Sequence, residues 1–160
     1  MKLSLKIWLF LIPVLVSCEA EEIPENKELE KQMIGEWRNV ALKIKMNTFG
    51  NKDTFRILEV DEKNWEARMK IQPIRTFYRA DGTYNAEHRN LKDSLIYNPA
   101  GRWAILDDTI IMMDTFPERA LAYRYKIVIK NNMAEFTGVE DCDRDGKADD
   151  DYYGLHRKEK

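Results

Sequence analysis

The chain has 160 residues but only two cysteines and two histidines. Cys18 and Cys142 stand in very different contexts and are too few for the disulfide framework of a small secreted domain. Cys142 therefore reads as an unpaired thiol. His88 and His156 cannot be placed in a convincing Ser/His/Asp order. Glu66, Glu87 and Glu135 could pair as carboxylates, yet nothing singles them out. The expectation is a protein that is not an enzyme. Charge of one sign is also missing, since the formal net charge is -2. Without residues 1–17, which carry Lys2 and Lys6, 24 basic residues face 28 acidic ones. Nucleic acid needs a concentrated basic face, so it is not an expected partner. The apolar run Ile7 to Val16 is half the roughly 20 residues that a membrane-spanning helix needs. No long helical period and no repeat array is present.

What the chain does have is a core-forming composition, 44% hydrophobic and 34% charged. That argues against wholesale disorder and fits one domain plus appendages. It also has period-two alternation. Trp103 and Ile105 share one face of a short run, and Ile110 and Met112 share a face of the next. Asp107-Asp108 lies between them, so Gly101 to Asp114 predicts an antiparallel hairpin. Val40, Leu42, Ile44 and Met46 alternate with Ala41, Lys43 and Lys45. Tyr123, Tyr125, Ile127 and Ile129 alternate with Arg124, Lys126 and Lys130. Asn131-Asn132 is a tight turn that tolerates positive φ. Met133 to Glu140 returns, and Tyr152 to Arg157 closes the set. Eight to ten strands at hairpin spacing predict a closed antiparallel sheet.

Two stretches break this pattern. Leu29 to Met33 fits a helical turn. Phe55 to Ile71 fits both periods, and the acids at Asp61 and Glu62 with bases at Arg68 and Lys70 favour a short helix over about Asp61 to Met69. Such a helix would suit a lid on a barrel mouth.

At the amino terminus, Lys2 and Lys6 precede the apolar run, which ends in Leu15-Val16-Ser17-Cys18. This is the pattern of a removable export signal. The quartet resembles the lipobox of bacterial lipoproteins, in which the cysteine is acylated and becomes the first mature residue. The resemblance implies a signal peptide over 1–17, a lipidated Cys18 with an acidic tether over 18–32, and a folded domain over 33–160. It implies palmitate-type acylation and a membrane partner through the anchor. Glu21-Glu22 resembles the export tag of surface-exposed lipoproteins in some Gram-negative bacteria; a merely soluble linker reads the same way. The implied place is the bacterial cell envelope, at the outer membrane, on its periplasmic face or the cell surface.

Gly35-Glu36-Trp37 at the first strand and the basic Arg157 on the last resemble the lipocalin and lipocalin-like pattern. In that pattern the first-strand Trp packs at the closed barrel end under a late Arg. Gly101-x-Trp103 resembles a repeat of this signature in bacterial lipocalin-like lipoproteins, and Phe77 to Tyr84 resembles their central hairpin. The resemblance implies an all-β, up-and-down barrel of about eight strands, with a short helix, and structural roles for Gly35, Trp37, Gly101, Trp103 and Arg157. The Thr-Asp-Tyr motif of the animal members is missing. Ligands follow pocket lining rather than fold.

Asp141 to Asp151 reads D-x-D-x-D-G-x-x-D. Asp141, Asp143 and Asp145 can converge on a hard cation, Gly146 allows the sharp turn, and the Lys147 carbonyl and Asp149 supply further oxygens. Calcium takes 6–8 oxygens, so Asp150, Asp151 or water must complete its shell. The twelfth position holds Tyr152 rather than the EF-hand Glu; the loop is more similar to the calcium loops between strands of β-propellers and related extracellular repeats. Calcium is the expected cofactor, against a plain acidic loop. The same acids disfavour a Cys142 thiolate.

Ala80-Asp81-Gly82 predicts a hairpin turn, and a two-residue loop there pairs Arg79 with Tyr84 and Arg75 with His88. Arg75, Phe77, Arg79, Tyr84 and His88 then share a face. Turned inward, it would suit an anionic headgroup beside an apolar body; turned outward, it is a charged outer surface, which wet guanidiniums favour. The expected function is a lipid-anchored extracytoplasmic binding protein for a small, amphipathic or hydrophobic ligand. The competing expectation is a structural or protein-interaction lipoprotein with a filled barrel.

Overall fold

A computed structural model of the chain describes residues 26–116 and 121–160. The expected signal peptide, Cys18 and the tether before residue 26 lie outside the described residues. In chain order the elements are α1 (Lys27–Met33), β1 (Gly35–Met46), β2 (Arg56–Asp61), α2 (Trp65–Met69), β3 (Arg75–Tyr78), β4 (Thr83–Arg89) and β5 (Leu95–Tyr97). They continue with β6 (Ala100–Leu106), β7 (Thr109–Phe116), β8 (Ala122–Lys130), β9 (Met133–Glu140) and β10 (Asp150–Lys158).

Eight strands close an antiparallel barrel in the order β1-β3-β4-β6-β7-β8-β9-β10, with β10 returning to β1. The alternation of apolar residues predicts this architecture, because closure buries one face of every strand and leaves no edge. β2 and β5 stand outside the ring. β2 pairs with the second half of β1, from Ala41 to Met46, and β5 pairs with the end of β4.

One end of the barrel is closed by tight turns and by α1. The Asp107-Asp108 turn joins Leu106 to Thr109 as expected. Asn131 and Asn132 both take positive φ, 52° and 60°. This matches the right-handed twist of the strands they join. Asn26 caps α1 by accepting the Leu29 N–H at 3.1 Å. The helix covers the expected turn Leu29 to Met33 and overlaps the end of the stretch expected as tether, and it packs Leu29 and the fully buried Met33 onto the barrel core. Around Met33 gather Trp37, Ile105, Ile110, Ile127 and Phe136. The opposite end carries the longer connections, including 47–55, 90–94 and 141–149.

β1 keeps its predicted faces, with Leu42 and Ile44 buried and Lys43 and Lys45 exposed. Its register shifts between Asn39 and Ala41. The bulge lets Trp37 and Asn39 also face inward, out of step with Leu42 and Ile44. The predicted helix exists but is shorter. Asp61 pairs with Ala41 at the end of β2 and accepts the Lys63 and Asn64 N–H groups, so it forms a turn instead of capping the helix. α2 starts at Trp65, which is fully buried with Leu42, Ile44 and Val60 in a second core beside the open end.

The hairpin of β3 and β4 departs from expectation by one residue. Tyr78 pairs with Tyr84, and Arg75 with Glu87. The Arg79 N–H donates to Thr83 O and the Gly82 N–H to Arg79 O, so the loop holds three residues, Ala80 to Gly82. A one-residue slip sends side chains to the other face. Thr76, Tyr78, Tyr84 and Ala86 are buried inside, while Arg79 is exposed.

Candidate functional site

The open half of the barrel holds a cavity of about 170 Å3 that opens to solvent. Strand alternation builds it. β7 turns Ile110, Met112 and Asp114 inward, β8 turns in Tyr123 and Tyr125, and β4 turns in Tyr84, Ala86 and His88. Tyr152 and His156 of β10, Asn39 of β1, Tyr78 of β3 and Phe136 of β9 also line it.

Asp114 is the one acidic side chain in this wall among the described residues, and it is 5% exposed. The Tyr84 hydroxyl donates to its Oδ1, and the Tyr123 hydroxyl to Oδ2 at 3.4 Å. Both of its oxygens thus accept from tyrosine hydroxyls. Burial and the Asp114 carboxylate push the Tyr84 hydroxyl well above the ordinary tyrosine range and the Tyr123 hydroxyl up to about 12. Both stay protonated donors at neutral pH. The position of Asp114 depends on Gly101. The register of β6 and β7 shifts there, Gly101 facing Asp114 and Ala100 facing Phe116. A Cβ on Gly101 would lie 1.9 Å from the Met113 carbonyl oxygen, so only glycine admits this approach.

Two histidines face the cavity, and both are held neutral. Burial lowers the His156 ring to about 4 and lowers His88 as well. Nε2 of His156 lies 3.2 Å from Asn39 Nδ2, and its Nδ1 is buried without a hydrogen-bond partner. With Asn39 donating, the proton sits on Nδ1. Tyr78 donates to Met112 Sδ at 3.2 Å. The rings of Tyr125 and Tyr152 lie 4.6 Å apart.

Among the residues expected to form a pocket face, Tyr84 and His88 do line the cavity, but Arg75, Phe77 and Arg79 do not. Arg75 lies on the outer face, where its Nε donates to Glu36 Oε1 at 2.6 Å and its guanidinium covers the Phe77 ring. The three-residue loop is the cause. An anionic headgroup therefore loses its two expected arginines. The signal for Asp114 and Tyr123 was in the alternation itself, since each is the next same-face residue in a run of apolar ones.

Among the residues expected to be structural, both tryptophans are buried and both glycines sit where a side chain would be strained or would clash. Trp37 is fully buried, and its Nε1 donates to Met33 O at 2.7 Å. Trp103 donates to the carbonyls of Arg79 and Thr83 at 3.1 and 3.0 Å, tying β6 to the β3–β4 turn. Gly35 has φ +136°, which side chains rarely adopt. Arg157 is the exception. It pairs outside with Glu62 at 2.7 Å, and Lys158 covers Trp37 instead.

The acidic loop between β9 and β10 folds against the 47–52 loop. Asp141, Asp143 and Asp150 bring carboxylate oxygens within 4.8 Å of one another. Asp150 is 1% exposed and accepts the Asn47 and Cys142 N–H groups at 2.9 and 2.7 Å. Asp145 and Asp149, two of the expected ligands, turn to the facing loop. Asp145 accepts the Asn51 N–H at 3.2 Å, and Asp149 accepts from the Thr48 hydroxyl at 3.0 Å. Lys147 is exposed and gives its N–H to Asp145. Three converging carboxylates suit a hard divalent cation, with water completing the shell. Burial and the carboxylates of Asp150, Glu140, Asp141 and Asp143 push the Cys142 thiol up to about 12.

No protein-family model matches the chain, and no curated protein matches it either. The fold and the site thus define a class by geometry: a closed eight-stranded antiparallel β-barrel whose interior is solid at one end and hollow at the other.

Proposed function

We propose that this chain is a lipid-anchored, lipocalin-like binding protein of the bacterial cell envelope that holds a small amphipathic ligand inside its barrel. The observation that carries this reading is the cavity in the open half, where five tyrosines and Met112 surround one carboxylate. Ligand sites are mostly apolar concavities with a few placed polar groups, and this wall has that composition. The Leu15-Val16-Ser17-Cys18 quartet supports the anchor. Acylation at Cys18 would moor the barrel through the short chain that precedes α1.

Native mass spectrometry of the purified full-length chain tests the ligand. A small molecule that travels with the folded protein and leaves on unfolding is the expected result. A bare mass, with no binding of added amphiphiles, would refute it. Cell fractionation tests the anchor: Cys18→Ser should move the protein out of the membrane pool.

A second reading, docking to another protein, draws on apolar side chains exposed towards the open end. Ile96 is 55% exposed and Phe116 62%. In either reading the acidic loop takes calcium through Asp141, Asp143 and Asp150, and the ion braces the 47–52 loop at the barrel mouth.

A further inference from the structure

The cavity has a charge balance that selects its occupant. Its wall contains no lysine or arginine among the described residues. Its two histidines are neutral at physiological pH, because burial opposes their protonation. Its tyrosines keep their protons, as the raised hydroxyls of Tyr78, Tyr84 and Tyr125 require. What remains is the carboxylate of Asp114, buried and met by two neutral hydroxyls rather than by a cation.

A buried carboxylate without a cation is costly, and a counter-ion of the right size offsets that cost. The surrounding rings favour the same sign of charge. Tyr84 and Tyr123 both reach Asp114 through their hydroxyls, so their rings stand beside it. Tyr78 stacks on Tyr84 with centroids 6.0 Å apart, and Tyr125 stacks on Tyr123 at 6.3 Å. Aromatic faces attract cations through their quadrupole, most strongly where water is excluded. An anion would meet the carboxylate, with no lysine or arginine among the described wall residues to receive it.

Size narrows the class further. An apolar cavity of about 150 Å3 holds one benzene ring. At about 170 Å3 this one, which opens to solvent, takes about one ring or a comparable branched body of its occupant inside the barrel. We propose that the barrel binds a small organic monocation, an amine with an apolar body of about one ring, whose ammonium group pairs with Asp114 between the tyrosines. This inference rests on the binding reading above and names the ligand's charge and size.

Calorimetric titration of the purified full-length chain with three probes of one shape tests it: benzylamine, benzyl alcohol and benzoate. Benzylamine should bind at least about tenfold tighter than either of the others, the usual worth of a charge-assisted hydrogen bond. Asp114→Asn should remove that advantage, bringing benzylamine down to the level of benzyl alcohol on the same variant. Benzoate binding as well as benzylamine, or equal binding of amine and alcohol, would overturn the cation assignment while leaving a binding barrel. Failure of all three to bind would overturn the binding reading and this inference with it. The ranking on the unmodified chain decides the matter even if Asp114→Asn does not fold.

Discussion

Lys158 faces Trp37 across the β1–β10 seam, with its Nζ 5.4 Å from the ring centroid. The same ammonium donates to Gln32 O, in the last turn of α1, at 2.6 Å. One side chain thus joins the strand that closes the barrel, the tryptophan beneath and the helix above. A cation at a helix C-terminus also meets the negative end of its dipole. Lys158→Ala should cost about 1 kcal/mol through the lost cation–π contact and helix bond. Arg157→Ala, one residue away but outside, should cost about 0.5 kcal/mol or less, as surface pairs do. Thermal unfolding of the two variants checks the order, and equal losses would contradict it.

Gly101→Ala should be among the most damaging single methyl additions in the chain. The new carbon falls on the Met113 carbonyl, and backbone cannot step aside as a flexible side chain does. Overpacking of this kind costs roughly 1–3 kcal/mol. The displaced β7 backbone also carries Asp114, so benzylamine binding should weaken in whatever fraction still folds. Unchanged chemical denaturation would show that the β6–β7 bulge is not needed.

The reach of the sequence can be seen in these residues. Period-two patterns located the strands, and Asp107-Asp108 and Asn131-Asn132 marked their turns, because these signals are local. The face of Arg75 to Arg79 was not legible. Asp-Gly fits a two-residue and a three-residue loop equally, and the choice inverts every neighbour. The exchange of Arg157 for Lys158 has a related origin. Adjacent residues on a strand point oppositely, and both are basic, so only the closure register tells which one covers Trp37. Asp114 was passed over because a carboxylate looks like a strand end; its alternation with Ile110 and Met112 places it inward, and its hydroxyl partners Tyr84 and Tyr123 come from other strands.

His156 should make the barrel acid-sensitive. Its folded value is about 4. The unfolded ring titrates near 6.5. Below that pH the unfolded chain takes up a proton that the folded ring refuses, so stability is full above about 6.5 and falls as pH drops towards 4. The buried ring, 7% exposed, has Asn39, Phe136 and Tyr152 around it, and burial alone lowers it. The loss amounts to about 3 kcal/mol over that window. His156→Gln should flatten the fall in melting temperature between pH 7 and pH 4.5, whatever its effect at neutral pH. An unchanged slope would assign acid sensitivity to the carboxylates.

Calcium should stabilise the chain through the loop that joins β9 to β10. Asp141, Asp143 and Asp150 already converge, and backbone N–H groups of Asp145 and Gly146 hold Asp141 in place at 3.0 Å each. Little reordering is therefore needed to receive an ion. An ion that binds only the folded state adds about 2.7 kcal/mol at a hundredfold excess over its dissociation constant. Asp141→Asn with Asp143→Asn removes two charges and keeps one acceptor oxygen on each side chain, so each retains one of the two backbone N–H bonds it now accepts. Asp150 is left intact, because it holds the Asn47 and Cys142 backbone and its loss would unfold the loop for other reasons. The melting temperature of the intact chain should rise with calcium and fall back with a chelator, while the double variant should respond to neither. Equal shifts in both proteins would place the ion elsewhere, and no shift in the intact chain would reduce the loop to a self-contained network of acidic side chains and backbone N–H groups.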